Sequence, residues 1–350
     1  MADPTSRLTT IPAAVQGSIR YAAALLASIA LAALAFAPAA GAQGTEPVPP
    51  TPPEPVPQPA DAELKLDLKG VKGGKVRVNR RVTAFATIRP FVPGQELQIG
   101  IYRKGKPVKR ERKTIERKEG SNAGIVRLKS KRFVEPGKFS ARAVKGETAQ
   151  QKGASKSSKR FGIKYPNLGG RDNGEVVQLF HKLLHHEGYG NAPSGKDFND
   201  ASGRAVHAFR KVNGMARNED ATPGIFKTLA DGKGAFKLRY PGAGHHVEVD
   251  VSRQVMVLAD KGKPRFTYHI SSGAPGTPSD RGHYKFYRRQ AGFNSLGMYY
   301  SVYYNRGEAT HGYKSVPDYP ASHGCLRNPI PDSRFIYGWI NLGDDIWVYD

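Results

Sequence analysis

Three regimes of hydrophobic spacing follow one another along the chain. From residue 61 to 165, apolar and polar positions alternate in ELKLDL, RVTAFATI, ELQIGIY, GIVRLKS and KFSARAV, with turn-forming VPGQ, RKGK and EPGK between them. Alternation turns every second side chain to one face. Short alternating runs with regular turns predict an antiparallel, immunoglobulin-like β-sandwich. From 166 to 240 the period becomes helical. GEVVQLFHKLLHHEGYG sets Val177, Phe180, Leu183 and Leu184 on one stripe, and Gly188 stops it. ASGRAVHAFRKVNG does the same with Ala205, Val206, Phe209 and Val212, and TPGIFKTL starts a third helix with Thr222 as cap and Pro223 behind it. From 241 to 350 the period returns to two. HVEVDVSRQVMVLADKGKPRFTYHI reads as three strands with turns at Ser252–Gln254 and Asp260–Lys263; HYKFY, MYYSVYY and DIWVYD read as further strands. One helix is expected in PDSRFIYGWINLG, capped by Asp332, apolar along Phe335, Ile336, Trp339 and Ile340, and ended by Gly343. The fold class is therefore multidomain: a sandwich, a small three-helix module, and a mostly-β domain with one packed helix.

The first 60 residues follow none of these regimes. Arg7 and Arg20 precede an uncharged Ala/Leu-rich run, Tyr21–Phe36, and Ala40-Gly41-Ala42 offers a small-x-small cleavage site. Residues 1–42 read as a secretory signal cut after Ala42. An uncleaved anchor is the alternative, although the run is shorter than the ~20 residues that span a bilayer. Residues 43–60 are a proline-rich spacer, an extended tether of ~3.1 Å per residue.

Charge is unevenly spread. The chain carries +24, and residues 61–165 supply +20 of it. Anionic wall polymers or lipid headgroups are the partners such a domain would meet outside the cell, and a solvated basic face without a ligand explains the same count. Nucleic acid is disfavoured because no aromatic platform interleaves the basic residues.

The single cysteine, Cys325, sits in ASHGCLRNP. In an exported chain a lone cysteine pairs between chains, is buried, or does chemistry. Its neighbours favour chemistry. His311, 14 residues upstream, is placed to fold back from a loop and take the thiol proton; His323, two residues away, aligns less well. The Gly312 carbonyl is available to fix the His311 tautomer. N–H groups at Gly324 and Cys325 could face an oxyanion, and Arg327 offers a fork for a carboxylate. His185-His186 and His245-His246 show no metal-ligand spacing, so neither metal nor organic cofactor is expected.

Two family resemblances follow from these strings. EVVQLFHKLLHHEGYG…FNDASGRAVHAFRKVNGM…ATPGIFKTL, residues 166–240, resembles the type 1 peptidoglycan-binding domain, with Gln178 near the family's first-helix glutamine and Arg210 replacing a later one. It implies wall binding through a shallow groove. HGYKSVPDYPASHGCLR, with Ser271-Ser272-Gly273, Thr277-Pro278 and Gly282 upstream, resembles the YkuD-type L,D-transpeptidase catalytic domain over residues 241–350. That resemblance implies Cys325 as nucleophile, His311 as general base oriented by Gly312, His323 and Gly324 shaping the site and its oxyanion hole with Cys325, and Ser322 and Arg327 contacting substrate. It implies a thioester acyl-enzyme that forms 3→3 cross-links between peptidoglycan stem peptides. The loop between His311 and Ser322 is shorter than the family's, which bears on acceptor recognition. An L,D-carboxypeptidase, a catalytically silent wall anchor and a secreted polyanion-binding protein are the alternatives. Oligomeric state is not set by the sequence.

Overall fold

The computed structural model describes residues 57–350; the expected signal segment and most of the proline-rich spacer lie outside the described residues. Ten strands come first: β1 (Glu63–Lys69), β2 (Lys75–Arg77), β3 (Thr83–Arg89), β4 (Glu96–Arg103), β5 (Lys106–Thr114), β6 (Glu116–Arg117), β7 (Gly124–Lys129), β8 (Phe139–Lys145), β9 (Ala154–Ser157) and β10 (Gly162–Lys164). They form two antiparallel four-stranded sheets, ordered β1-β3-β7-β6 and β5-β4-β8-β9, with β2 and β10 paired in parallel at the side. Alternation produces the core directly. Ala84, Ala86 and Ile88 of β3 and Val126 and Leu128 of β7 face Leu97, Ile99 and Ile101 of β4 and Ala141 and Ala143 of β8.

Three helices follow: α1 (Glu175–His186), α2 (Asp200–Val212) and α3 (Pro223–Ala230). Each start has a local cause. Thr222 Oγ1 accepts the Ile225 N–H above Pro223, and Asn199 caps α2 reciprocally with Ser202. Val177, Phe180, Leu184, Phe209 and Phe226 share one core, and Val78 and Tyr165 of the preceding strands enter it. Of the expected stripes, Leu183 and Val212 are only partly buried.

The remaining elements are β11 (His246–Asp250), β12 (Val255–Asp260), β13 (Lys263–His269), β14 (Gly282–Lys285), β15 (Arg288–Phe293), β16 (Tyr299–Asn305), β17 (Glu308–Tyr313), β18 (Leu326–Pro329), α4 (Ile330–Trp339) and β19 (Asp345–Tyr349). One sheet runs β13-β12-β11-β19-β14 and the other β15-β16-β17-β18. Val247, Val249, Leu258, Val302, Leu326 and Ile346 fill the space between them. The β12–β13 hairpin closes through Lys261 and Gly262, both at positive φ, as a two-residue turn requires. Gly190 N–H and the Gly188 carbonyl bond β13, fixing the helical module to this domain.

The last helix differs from expectation at both ends. Pro329, not Asp332, holds the N-cap position, and the helix ends at Trp339 rather than at Gly343. Pro331 in the first turn supplies a preset φ without a missing hydrogen bond. Asp332 is freed to bind Arg204 of α2 at 2.9 and 3.0 Å. Of the expected apolar face, Ile336 and Ile340 are buried while Phe335 is 47% exposed. Strands β15, β17 and β18 are absent from the sequence reading.

Candidate active site

The site is built on a parallel pair. β17 and β18 align Thr310 with Leu326, His311 with Arg327 and Gly312 with Asn328. His311 therefore lies on a strand, not on the loop expected from the sequence. Cys325, just before β18, arrives beside Ala309, two residues from His311 along the neighbouring strand. Residues in register across a pair share a face, so His311 and Arg327 share a face, and Cys325, two residues before Arg327, extends the same line. Tyr313 joins them: the Arg327 guanidinium sits 4.3 Å from its ring centroid, and the His311 ring stands edge-on to it.

The turn carrying the thiol is held from three directions. Ser271 exchanges backbone hydrogen bonds with Arg327 at 3.0 and 2.9 Å, and the Ser322 N–H donates to the Ser272 carbonyl. Ser279 Oγ accepts from Gly273 N–H and donates to the Gly324 carbonyl at 2.6 Å; Thr277 Oγ1 donates to the Ser322 carbonyl. Ser322 Oγ spans the turn, donating to the Cys325 carbonyl and accepting the Gly324 N–H at 3.2 Å. Gly324 has φ 110°, a conformation that L side chains rarely adopt, and a Cβ there would stand 2.9 Å from Glu308 Oε1.

His311 is nearly fully buried, and its Nδ1 lies 3.0 Å from the Gly312 carbonyl. Nδ1 therefore carries the proton and donates it, leaving Nε2 with a free lone pair. Burial pushes the imidazole down to about 4; the Gly312 carbonyl works against that shift and Arg327 adds to it. Gly312 is required by close approach. A Cβ would fall 2.1 Å from Ser333 Oγ of α4, so any side chain would lift the strand from the helix.

The Cys325 thiol packs against Met298, Tyr303 and Ala309. Burial pushes it up from the ordinary thiol range; Glu308 adds to the shift, and the Ala309 N–H and Arg327 oppose it. The thiol donates to the Gly307 carbonyl at 3.8 Å rather than to an imidazole. The resting site is thus a neutral thiol beside a neutral base. At the thiol, desolvation outweighs the local donors.

Residues 244–348 match the family model YkuD, the L,D-transpeptidase catalytic domain. No curated protein matches the chain. Similar solved structures include an L,D-transpeptidase from Xylanimonas cellulosilytica DSM 15894, 26% identical, covering 53% of this chain and 98% of that one at a TM-score of 0.47. An L,D-transpeptidase (Yku) from Stackebrandtia nassauensis is 19% identical over 52% of this chain and 95% of that one, with a TM-score of 0.33. An Enterococcus faecium L,D-transpeptidase is 23% identical, with a TM-score of 0.28; the alignment covers 30% of this chain and 50%, about half, of that chain.

Within the YkuD-matching domain, the residues singled out from sequence fall into three groups. His311, Gly312, Cys325 and Arg327 converge. Ser322 is 2% exposed, and both contacts of its hydroxyl hold the turn. The Gly324 N–H, expected in the oxyanion hole, already donates to Ser322 Oγ. His323 is exposed, in the bend that leads into Cys325. Sequence reasoning missed Ser279, Tyr313 and Glu308. Ser279 lies inside TPSDRG, and Tyr313 and Glu308 flank the His-Gly pair, so proximity to those motifs was the available signal. Glu308 is half-buried, accepts the Asp280 N–H at 3.0 Å, and has a carboxyl raised by burial.

Proposed function

We propose that the protein is an exported peptidoglycan L,D-transpeptidase in which Cys325 carries the acyl group. Sγ attacks the carbonyl carbon of the third stem residue while His311 Nε2 takes the thiol proton. Negative charge then develops on the carbonyl oxygen, and the Cys325 N–H is the donor assigned to it. Collapse breaks the peptide bond, and His311 returns the proton to the departing D-alanine amine. A thioester remains. A side-chain amine from a second stem attacks it, gives its proton to His311, and displaces the thiol, leaving a 3→3 cross-link.

The observation that carries this reading is the neutral His311 tautomer, Nδ1–H on the Gly312 carbonyl and Nε2 free, on the face shared with Cys325 and Arg327. A neutral imidazole is the competent base, and a neutral thiol is what it must deprotonate. Arg327, stacked on Tyr313 and in no ion pair among the described residues, is assigned to a stem-peptide carboxylate. The helical module, 166–240, is assigned to wall binding. The sheet orders β1-β3-β7-β6 and β5-β4-β8-β9 support an immunoglobulin-like reading of residues 61–165, and its charge favours anionic wall polymers or headgroups.

Incubation with purified tetrapeptide stems, followed by mass analysis, tests the reading. The expected result is release of D-alanine, a dimer lacking it, and a thioester adduct on the protein, all abolished by Cys325→Ala. Release without dimer would assign water as acceptor. No release and no adduct would leave a wall-anchoring protein without acyl transfer.

A further inference from the structure

Residues 314–321 join the strand of His311 to the turn of Cys325, so their placement governs how imidazole and thiol meet. Helix α2 grips this loop in its middle. Asp318 Oδ1 lies 2.5 Å from His207 Nε2 and 3.6 Å from Lys211 Nζ. Arg217, just beyond α2, donates to the Asp318 carbonyl. The Lys211 side chain is wholly buried, and its ammonium also reaches the Gln254 and Ile270 carbonyls at 3.4 and 3.3 Å. The ammonium thus has two carbonyls within hydrogen-bond reach and the Asp318 carboxylate just beyond it, as an ion-pair partner.

From Gln254 a hydrogen-bonded path continues to the nucleophile. The Gln254 side chain accepts the Ser272 N–H at 2.8 Å and donates to Ser272 Oγ at 2.7 Å. The Ser272 carbonyl accepts the Ala321 and Ser322 N–H groups at 2.8 and 3.0 Å, and Ser322 Oγ donates to the Cys325 carbonyl. The other end of α2 is tied as well, through the two-pronged Arg204–Asp332 pair, to the helix whose Ser333 packs on Gly312. A module that served only to retain wall polymer would need no buried ammonium at this interface, where an apolar side chain would pack equally well.

We propose that Lys211 and Asp318 are positioning residues for acyl transfer: helix α2 holds the loop between His311 and Cys325, which makes the helical module part of the catalytic unit. This rests on the acyl-transfer reading above. Neither residue touches substrate; both act through the Ser272–Ser322 contact.

The full chain carrying Lys211→Met or Asp318→Asn tests it. Amide exchange at Ala321 and Ser322 is expected to accelerate about tenfold or more. Turnover is expected to fall about 10- to 100-fold, the scale of a small misplacement of reacting groups, with KM within about threefold. The double variant should lose less than the sum of the two singles, because the two share one contact. A lysine acting only as core filling would leave exchange and kcat unchanged once methionine takes its volume. Unchanged exchange in Asp318→Asn overturns the proposal, and so does faster exchange with unchanged kcat. Should Lys211→Met fail to fold, Asp318→Asn, altered at a half-exposed loop side chain, decides alone. If the wild-type chain releases no D-alanine, the acyl-transfer reading fails separately, and the exchange measurement still decides whether α2 holds the loop.

Discussion

Two buried polar constellations share the loop between His311 and Cys325, and burial has opposite consequences in them. At the loop's ends, His311 and Cys325 are both neutral, because desolvation drives the imidazole down to about 4 and the thiol up. Under its middle, Lys211 is just as buried, and burial lowers its ammonium to about 8, with Asp318 the main force the other way. It stays charged at neutral pH. The difference lies in the partners. Lys211 has two carbonyls within hydrogen-bond reach and the Asp318 carboxylate nearby, and Arg204 holds the Asp332 carboxylate at two points. His311 is given one carbonyl, enough to orient it and too little to keep it protonated. A group that must accept a proton is left uncharged; groups that must hold a loop are kept ionised.

Substitutions at the two constellations should therefore fail differently. The largest effect belongs to the reacting pair. Cys325→Ala should abolish acyl transfer, and His311→Ala should lower kcat about 10²- to 10⁴-fold with an unchanged circular dichroism spectrum. Arg204→Ala comes next: it strands Asp332 in a buried site and should cost about 3–5 kcal/mol in urea unfolding. Gly312→Ala should cost about 1–3 kcal/mol by overpacking Ser333, and it should impair turnover because the same residue orients His311. Lys211→Met reverses the sign. Stability should be unchanged or higher by about 1–4 kcal/mol while turnover falls, a split the reacting pair cannot show. Its pH signature is distinctive. The folded chain binds the Lys211 proton less tightly than the unfolded one, so between about 8 and 10.5 the unfolded state holds more protons and wild-type stability gains with rising pH. The gain attributable to Lys211 should vanish in Lys211→Met. The smallest effect is expected at an exposed pair such as Lys65–Glu63, whose removal should leave the urea unfolding midpoint unchanged.

Sequence spacing revealed much of this molecule where polar and apolar residue types alternate or a turn signal intervenes. The strands β11 to β13, the Lys261-Gly262 turn and the Thr222 cap all follow from local pattern, although β11 is buried on both faces. It failed at β17, where EATHGY carries no regular alternation of residue type, and the histidine on it was assigned to a loop. The motif around Cys325 revealed which residues gather, since Ser-His-Gly-Cys with an upstream His-Gly is restrictive. It did not reveal what each does. Ser322 and Gly324 share a hydrogen bond that only the folded turn creates. Nor did it reveal how burial shifts the thiol: desolvation depends on packing from Met298, Tyr303 and Ala309, which are distant in sequence or patternless. Arg204–Asp332 and Lys211–Asp318 join segments more than 100 residues apart, beyond any periodicity.

The pH dependence of Cys325 carbamidomethylation by iodoacetamide addresses the neutral thiol most directly, because it needs no substrate. The account predicts slow modification through neutral pH and an inflection above the ~8.5 of a free thiol. Fast modification that is flat from about pH 6 to 8, the behaviour of a preformed thiolate, would contradict it.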